Sequence, residues 1–139
     1  MTVLDTDILS DFLHGRADVV AKVLTVPTAK LSTTIVTAEE ALKGWLKFVA
    51  NATGNKTDSA LVKGYAQLHQ AMFAVTKLVI LPYTPTAHTI FLAWRVAKVR
   101  IGTQDLRIAA ICVAHDATLV SRNKRDFDKV PELKLSVWN

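Results

Sequence analysis

Short runs dense in Val, Leu, Ile and Thr recur along this chain, each followed by a stretch with helical spacing. Val3 and Leu4, then residues 30–35, 78–81 and 118–120, read as strands, with a possible fifth at 135–137. Between them the spacing predicts helices. Asp7 is placed to cap residues 8–13, which stop at Gly15, and Pro27 ends a second helix over 18–24. Thr37 is placed to cap residues 38–50, and the polar stretch 51–58, with Gly54, reads as a turn. Leu61, Tyr65, Leu68 and Met72 form an apolar stripe along 59–75. Thr84 or Pro85 opens a helix over 86–97, and Thr103 starts one reaching residue 115. That last helix is apolar almost all round, so it belongs in the core. Strands alternating with helices imply an α/β fold, with a parallel sheet covered on both faces.

The chain has 139 residues, half of them hydrophobic, which suits one domain spanning residues 1–139 with a single core. No repeat, low-complexity tract or linker interrupts it. Cys112 is the only cysteine, which excludes an internal disulfide and a cysteine-rich zinc site. Its apolar neighbours suggest a buried, reduced thiol and hence a cytoplasmic setting. The N-terminus has no basic leader segment, and no apolar stretch has the length of a membrane span. A net charge of +5 leans weakly towards an anionic partner such as nucleic acid.

Several acidic residues sit where a plain core would not want them. Asp5 ends the first strand, Glu40 lies in the first turn of the helix after the second, and Asp105 opens the most apolar helix. Asp126 follows the fourth strand. Each position lies beyond the carboxyl end of a strand or at a helix N-terminus. In an open parallel sheet those places converge on the edge where ligands bind. Gathered carboxylates repel one another and raise each other's pKa values, and a cation relieves this. Hard oxygen ligands without a Cys or His triad favour Mg²⁺ or Mn²⁺. Such a centre suits phosphoryl chemistry. Taken singly, each residue also has a structural reading. Asp5 can bond the amides of the next helix, Glu40 and Asp105 suit helix N-termini, and Asp126 can cap a turn.

Four segments, in order, resemble the motifs of PIN domains. They are Leu4-Asp5-Thr6-Asp7-Ile8-Leu9, then Thr37-Ala38-Glu39-Glu40-Ala41-Leu42-Lys43-Gly44, then Gly102-Thr103-Gln104-Asp105 through Ala110, then Leu119-Val120-Ser121-Arg122-Asn123 through Phe127. The threonine-to-glutamate spacing of the second motif selects Glu40 over Glu39. The resemblance covers nearly the whole chain. It implies a three-layer α/β/α fold with a central parallel sheet of four to five strands, Mg²⁺ or Mn²⁺, and endoribonuclease activity. By carry-over, Asp5, Glu40, Asp105 and Asp126 would hold the metal or position water. Asp7, Ser121 and Asn123 would support them. The resemblance extends to the toxin half of bacterial VapBC toxin–antitoxin pairs, which implies a cognate antitoxin and a homodimer.

Lys43, Lys47, Arg95, Lys98, Arg100, Arg107, Arg122, Lys124 and Arg125 are candidates for RNA phosphates. Arg122, Lys124 and Arg125 are favoured because they flank Asn123 and Asp126. The plain alternative for each is a solvated surface. Trp45, Trp94 and Trp138 are expected to pack rather than stack on bases, and the four histidines show no metal-ligand spacing. Two other functional classes remain. A PIN scaffold can bind RNA or protein without cutting. Asp5-Thr6-Asp7 also matches the Asp-x-Asp of aspartate-nucleophile phosphatases, although that reading leaves Glu40 and Asp126 unexplained.

Overall fold

The computed structural model describes residues 1–54 and 58–139. Five strands form one parallel sheet: β1 (Thr2–Leu4), β2 (Leu31–Thr34), β3 (Val79–Leu81), β4 (Thr118–Ser121) and β5 (Lys134–Val137). Their order is β3-β2-β1-β4-β5, so the expected fifth strand exists and closes one edge. Thr2 sits opposite Leu31 on one side and Thr118 on the other.

Neighbouring residues of a strand face opposite sides of a sheet, and here each side has its own core. Val3 and Leu119 join Phe91, Ile108, Ile111 and Phe127 in one cluster. Leu4 and Val120 join Ile8, Leu9, Val19 and Val23 in the other. The first layer comes from α5 (Pro85–Val96), α6 (Thr103–Ala114) and α7 (Lys124–Phe127), and the second from α1 (Thr6–Leu13) and α2 (Ala17–Val23). The fold is therefore α/β in three layers. Ile108 through Cys112 are sealed from solvent, as the apolar composition of this segment predicts. Burial of each Leu or Ile of this kind contributes about 1.5–3 kcal/mol.

α3 (Ile35–Gly54) and α4 (Asp58–Val75) pack against each other. Here the structure departs from the sequence reading, because α3 continues through Asn51–Gly54 where a turn was expected. Contact between helices decides it. Ala52 is buried, and a Cβ on Gly64 would stand 3.3 Å from the Ala52 Cβ. The Thr53 hydroxyl also donates to the Val49 carbonyl at 3.0 Å, taking up its polar group within the helix. The rest of the expected turn, residues 55–57, lies outside the described residues.

Three caps also differ from expectation. α1 starts at Thr6, so Asp5 holds the N-cap position and Asp7 lies inside the first turn. β2 ends at Thr34 and α3 begins at once, so Thr37 is already helical. The Thr34 hydroxyl accepts from the Thr37 amide at 3.0 Å and does the capping. In α7 the cap is Asn123, whose side chain accepts from the Asp126 amide, and Asp126 lies within the helix. α5 behaves as its sequence predicts, with Thr84 accepting from the Ala87 amide and Pro85 in the first turn.

Candidate active site at the switch point of the sheet

From β1 the chain crosses to β2 and β3 on one side, then returns to place β4 on the other. The carboxyl ends of β1 and β4 thus form a topological switch point, where open α/β sheets have their ligand crevice. Asp5 directly follows β1 and Ser121 ends β4. The Asp5 amide donates to the Val120 carbonyl at 2.9 Å, extending the ladder by one step. The Ser121 hydroxyl donates to Asp5 Oδ2 at 2.6 Å and accepts from the Asn123 amide at 3.0 Å. The side chain of Asp5 is thereby fixed by the opposite end of the sequence.

Asp5 is 6% exposed, and its Oδ1 is buried without a hydrogen-bond partner. Burial raises its pKa above the usual carboxylate range; the Ser121 hydroxyl and the nearby Thr6 amide work against this, and Asp7 adds to it. An unpartnered carboxylate oxygen in such a place is costly unless something else completes it.

Asp105, in the first turn of α6, is half-buried, and its pKa is pushed up to about 6. Desolvation is the largest cause, followed by the charges of Asp5, Glu40, Asp126 and Asp7. The charges of Asp5, Glu40 and Asp126, singled out in the sequence, thus all reach Asp105, as does that of exposed Asp7. Glu40 accepts a hydrogen bond from the Thr6 hydroxyl at 3.0 Å. Asp126 accepts from Asn123 Nδ2 at 3.1 Å and lies 3.9 Å from Lys129 Nζ. Glu39 is held elsewhere. It accepts from Gln104 at 2.9 Å and pairs with Lys43 at 3.5 Å, so adjacent glutamates serve different partners.

Whether these residues suit a metal ion can be judged from their atoms. The donor set is all oxygen, and one of those oxygens is buried and unsatisfied. Both features fit a hard divalent cation. Among the described residues no three Asp, Glu, His or Cys side chains form a ready-made metal cage. Glu40 and Asp126 rest on protein donors, Thr6 and Asn123. The fit is one of chemistry and placement rather than of a closed shell.

The basic residues divide differently from the sequence reading. Arg122 pairs with Asp11 at 2.6 Å, and Lys124 pairs with Asp128. Arg125 is exposed and forms no ion pair among the described residues. Arg95, Lys98 and Arg100 line a cleft of about 580 Å³ that Asp126 also borders. Sequence reasoning passed over Thr6 as a site residue, although it lies between the two aspartates of the first motif and positions Glu40. Trp94 is buried in the core. Burial pushes the Cys112 thiol up to about 12, as expected of an inert core cysteine. Among the described residues no helix is long and apolar enough to cross a membrane.

Comparison with known proteins places this geometry. No curated protein matches the sequence. Among solved structures, VapBC2 from Rickettsia felis bound to a promoter DNA fragment superposes with a TM-score of 0.72 at 19% identity, covering 99% of this chain and 98% of that one. A toxin–antitoxin complex from Klebsiella pneumoniae gives 0.72 at 21% identity, covering 100% and 97%. FitAcB from Neisseria gonorrhoeae gives 0.73 at 20% identity, again covering 100% and 97%. These likenesses show the fold. Residues 2–133 match the family model of the PIN domain, and the chain belongs to that family.

Proposed function

We propose that this chain is a Mg²⁺- or Mn²⁺-dependent endoribonuclease acting as the toxin of a toxin–antitoxin pair. The observation that carries the reading is Asp5, whose buried, unpartnered Oδ1 stands at the switch point amid the charges that raise Asp105. Asp5, Glu40, Asp105 and Asp126 would hold the metal. When bound, it supplies Lewis-acid stabilisation and an acidified water for phosphodiester hydrolysis. The remaining work falls to the chain itself. Ser121 holds Asp5 through Oδ2 and leaves Oδ1 without a protein partner. Thr6 orients Glu40, and Asn123 orients Asp126. The burial and neighbouring negative charge that raise the pKa of Asp105 are what a bound cation would offset.

The toxin assignment draws on the neighbours, one of them a toxin–antitoxin complex and others bearing the VapBC name. The cognate antitoxin would cover the acidic crevice. A homodimer would bury exposed apolar side chains such as Ile35, Leu42, Leu92 and Val96.

The test is cleavage of a mixed panel of structured RNAs by purified protein, with Mg²⁺, Mn²⁺ or EDTA, alongside Asp5→Asn and Asp105→Asn. Metal-dependent cutting that both substitutions reduce by at least a hundredfold is expected. Absence of both cutting and metal binding would overturn the nuclease reading in favour of a PIN scaffold that binds without catalysis.

A further inference from the structure

The cleft beside Asp126 has an unusual charge. Arg95, Lys98 and Arg100 line it, and none of the three forms an ion pair among the described residues. This contrasts with Arg122 and Lys124, which are tied to Asp11 and Asp128. The cleft therefore runs from unpaired positive charge to one member of the acidic cluster.

Lys98 stands in this cleft in a backbone conformation that ordinarily selects against it. α5 ends with the Val99 amide donating to the Trp94 carbonyl at 3.0 Å and the Lys98 amide donating to the Arg95 carbonyl at 3.1 Å. That is the Schellman pattern, whose left-handed position usually belongs to glycine. Lys98 occupies it with φ of 61°. A side chain here is strained relative to glycine, as it also is at Asp116 and Glu132. Arg95 is held as well. Its guanidinium lies 5.6 Å from the centre of the Phe91 ring, which is almost wholly buried.

Resting on the nuclease reading above, we propose that Arg95, Lys98 and Arg100 form a subsite for the phosphodiester backbone of the RNA strand, leading it to the acidic centre at Asp126. A polyanion meets repulsion at a group of carboxylates, and three unpaired cations beside them offset it. They contact phosphates without reading bases, so the subsite sets affinity and strand path rather than sequence choice.

The test uses the full chain carrying Asp105→Asn to silence cutting, and a labelled single-stranded RNA of mixed sequence titrated across a salt series in Mg²⁺. Lys98→Gly should raise the melting temperature by a few degrees while weakening RNA binding about tenfold. The slope of log affinity against log salt should also fall by about one. Arg100→Gln should weaken binding similarly without the gain in stability. Lys63→Gln, which removes a charge from the exposed side of α4, should change affinity less than twofold. Unchanged binding in Lys98→Gly and Arg100→Gln, or a loss no larger than in Lys63→Gln, would overturn the subsite. In the same way, no RNA binding by the parent would overturn it. With Asp105 restored, undiminished cutting by Lys98→Gly would sink the subsite and leave the nuclease standing. Loss of binding without cutting by any variant would do the reverse.

Discussion

At the scale of single residues, Asp105 gives the sharpest test. Its pKa is raised from 3.8 to about 6, so the folded chain favours its protonated form. The favourable contribution of that proton is complete below the unfolded value and is lost as pH rises through about 6. In EDTA at pH 7.5, Asp105→Asn should therefore be more stable than the parent, by about 1 kcal/mol after allowance for solvent screening of a half-buried group. The gap should close as pH falls towards 4. Thermal melts across that range check the sign, and a constant gap would mean that ionisation of this buried, crowded carboxyl is not the cause. Ser121 offers a second test. Ser121→Ala removes the hydroxyl that donates to Asp5 Oδ2 and leaves that oxygen buried without a partner. It should lower stability by about 1–3 kcal/mol. Ser121→Thr keeps the hydroxyl and should recover most of the metal-dependent activity, which separates positioning from mere packing.

At the scale of elements, much was legible and the misses share one cause. Strand positions, the buried α6 and the Thr84 cap follow from local composition, because those choices are made within a few residues. The extent of α3 is not local. Asn51, Thr53 and Gly54 are poor helix formers, yet Ala52 meets Gly64 on a neighbouring helix and the helix continues. Gly64→Leu should push α3 and α4 apart and cost about 1–3 kcal/mol, whereas Gly64→Ala needs only a few tenths of an ångström of adjustment. Comparison of the two melting temperatures tests whether close approach matters there. Asp5, Asp105 and Asp126 were legible because each sits at a strand end or helix start, whereas Glu40, expected in a first turn, is the sixth residue of α3 because that helix begins at Ile35. The support from Thr6 and the ion pair of Arg122 were not, since partners at 34 or more residues' separation leave no trace in spacing. Lys124 to Asp128, at helical spacing, was the exception open to sequence reasoning.

At the scale of the whole molecule, the proposed metal centre would tie folding to metal. Repelling carboxylates destabilise the apo fold, and a cation bound only to the folded state stabilises it by mass action. Mg²⁺ at a hundredfold excess over its dissociation constant should add about 2.7 kcal/mol, read as a rise of several degrees in melting temperature. Asp5→Asn should abolish the response while leaving the α/β circular dichroism spectrum intact. An equal rise in both proteins would mark a general salt effect.

The hydrogen bond between Ser121 and Asp5 joins residues 116 positions apart. A chain emerging from the ribosome has β1 long before it has β4, and domains built N-terminal first wait for such distant pairings. Until the last strands are made, Asp5 has neither its neighbour strand nor its anchoring hydroxyl. An incomplete product is therefore inert by construction. For an enzyme that would cut RNA in the cell that makes it, this postpones activity to the end of synthesis, when a partner can already be waiting.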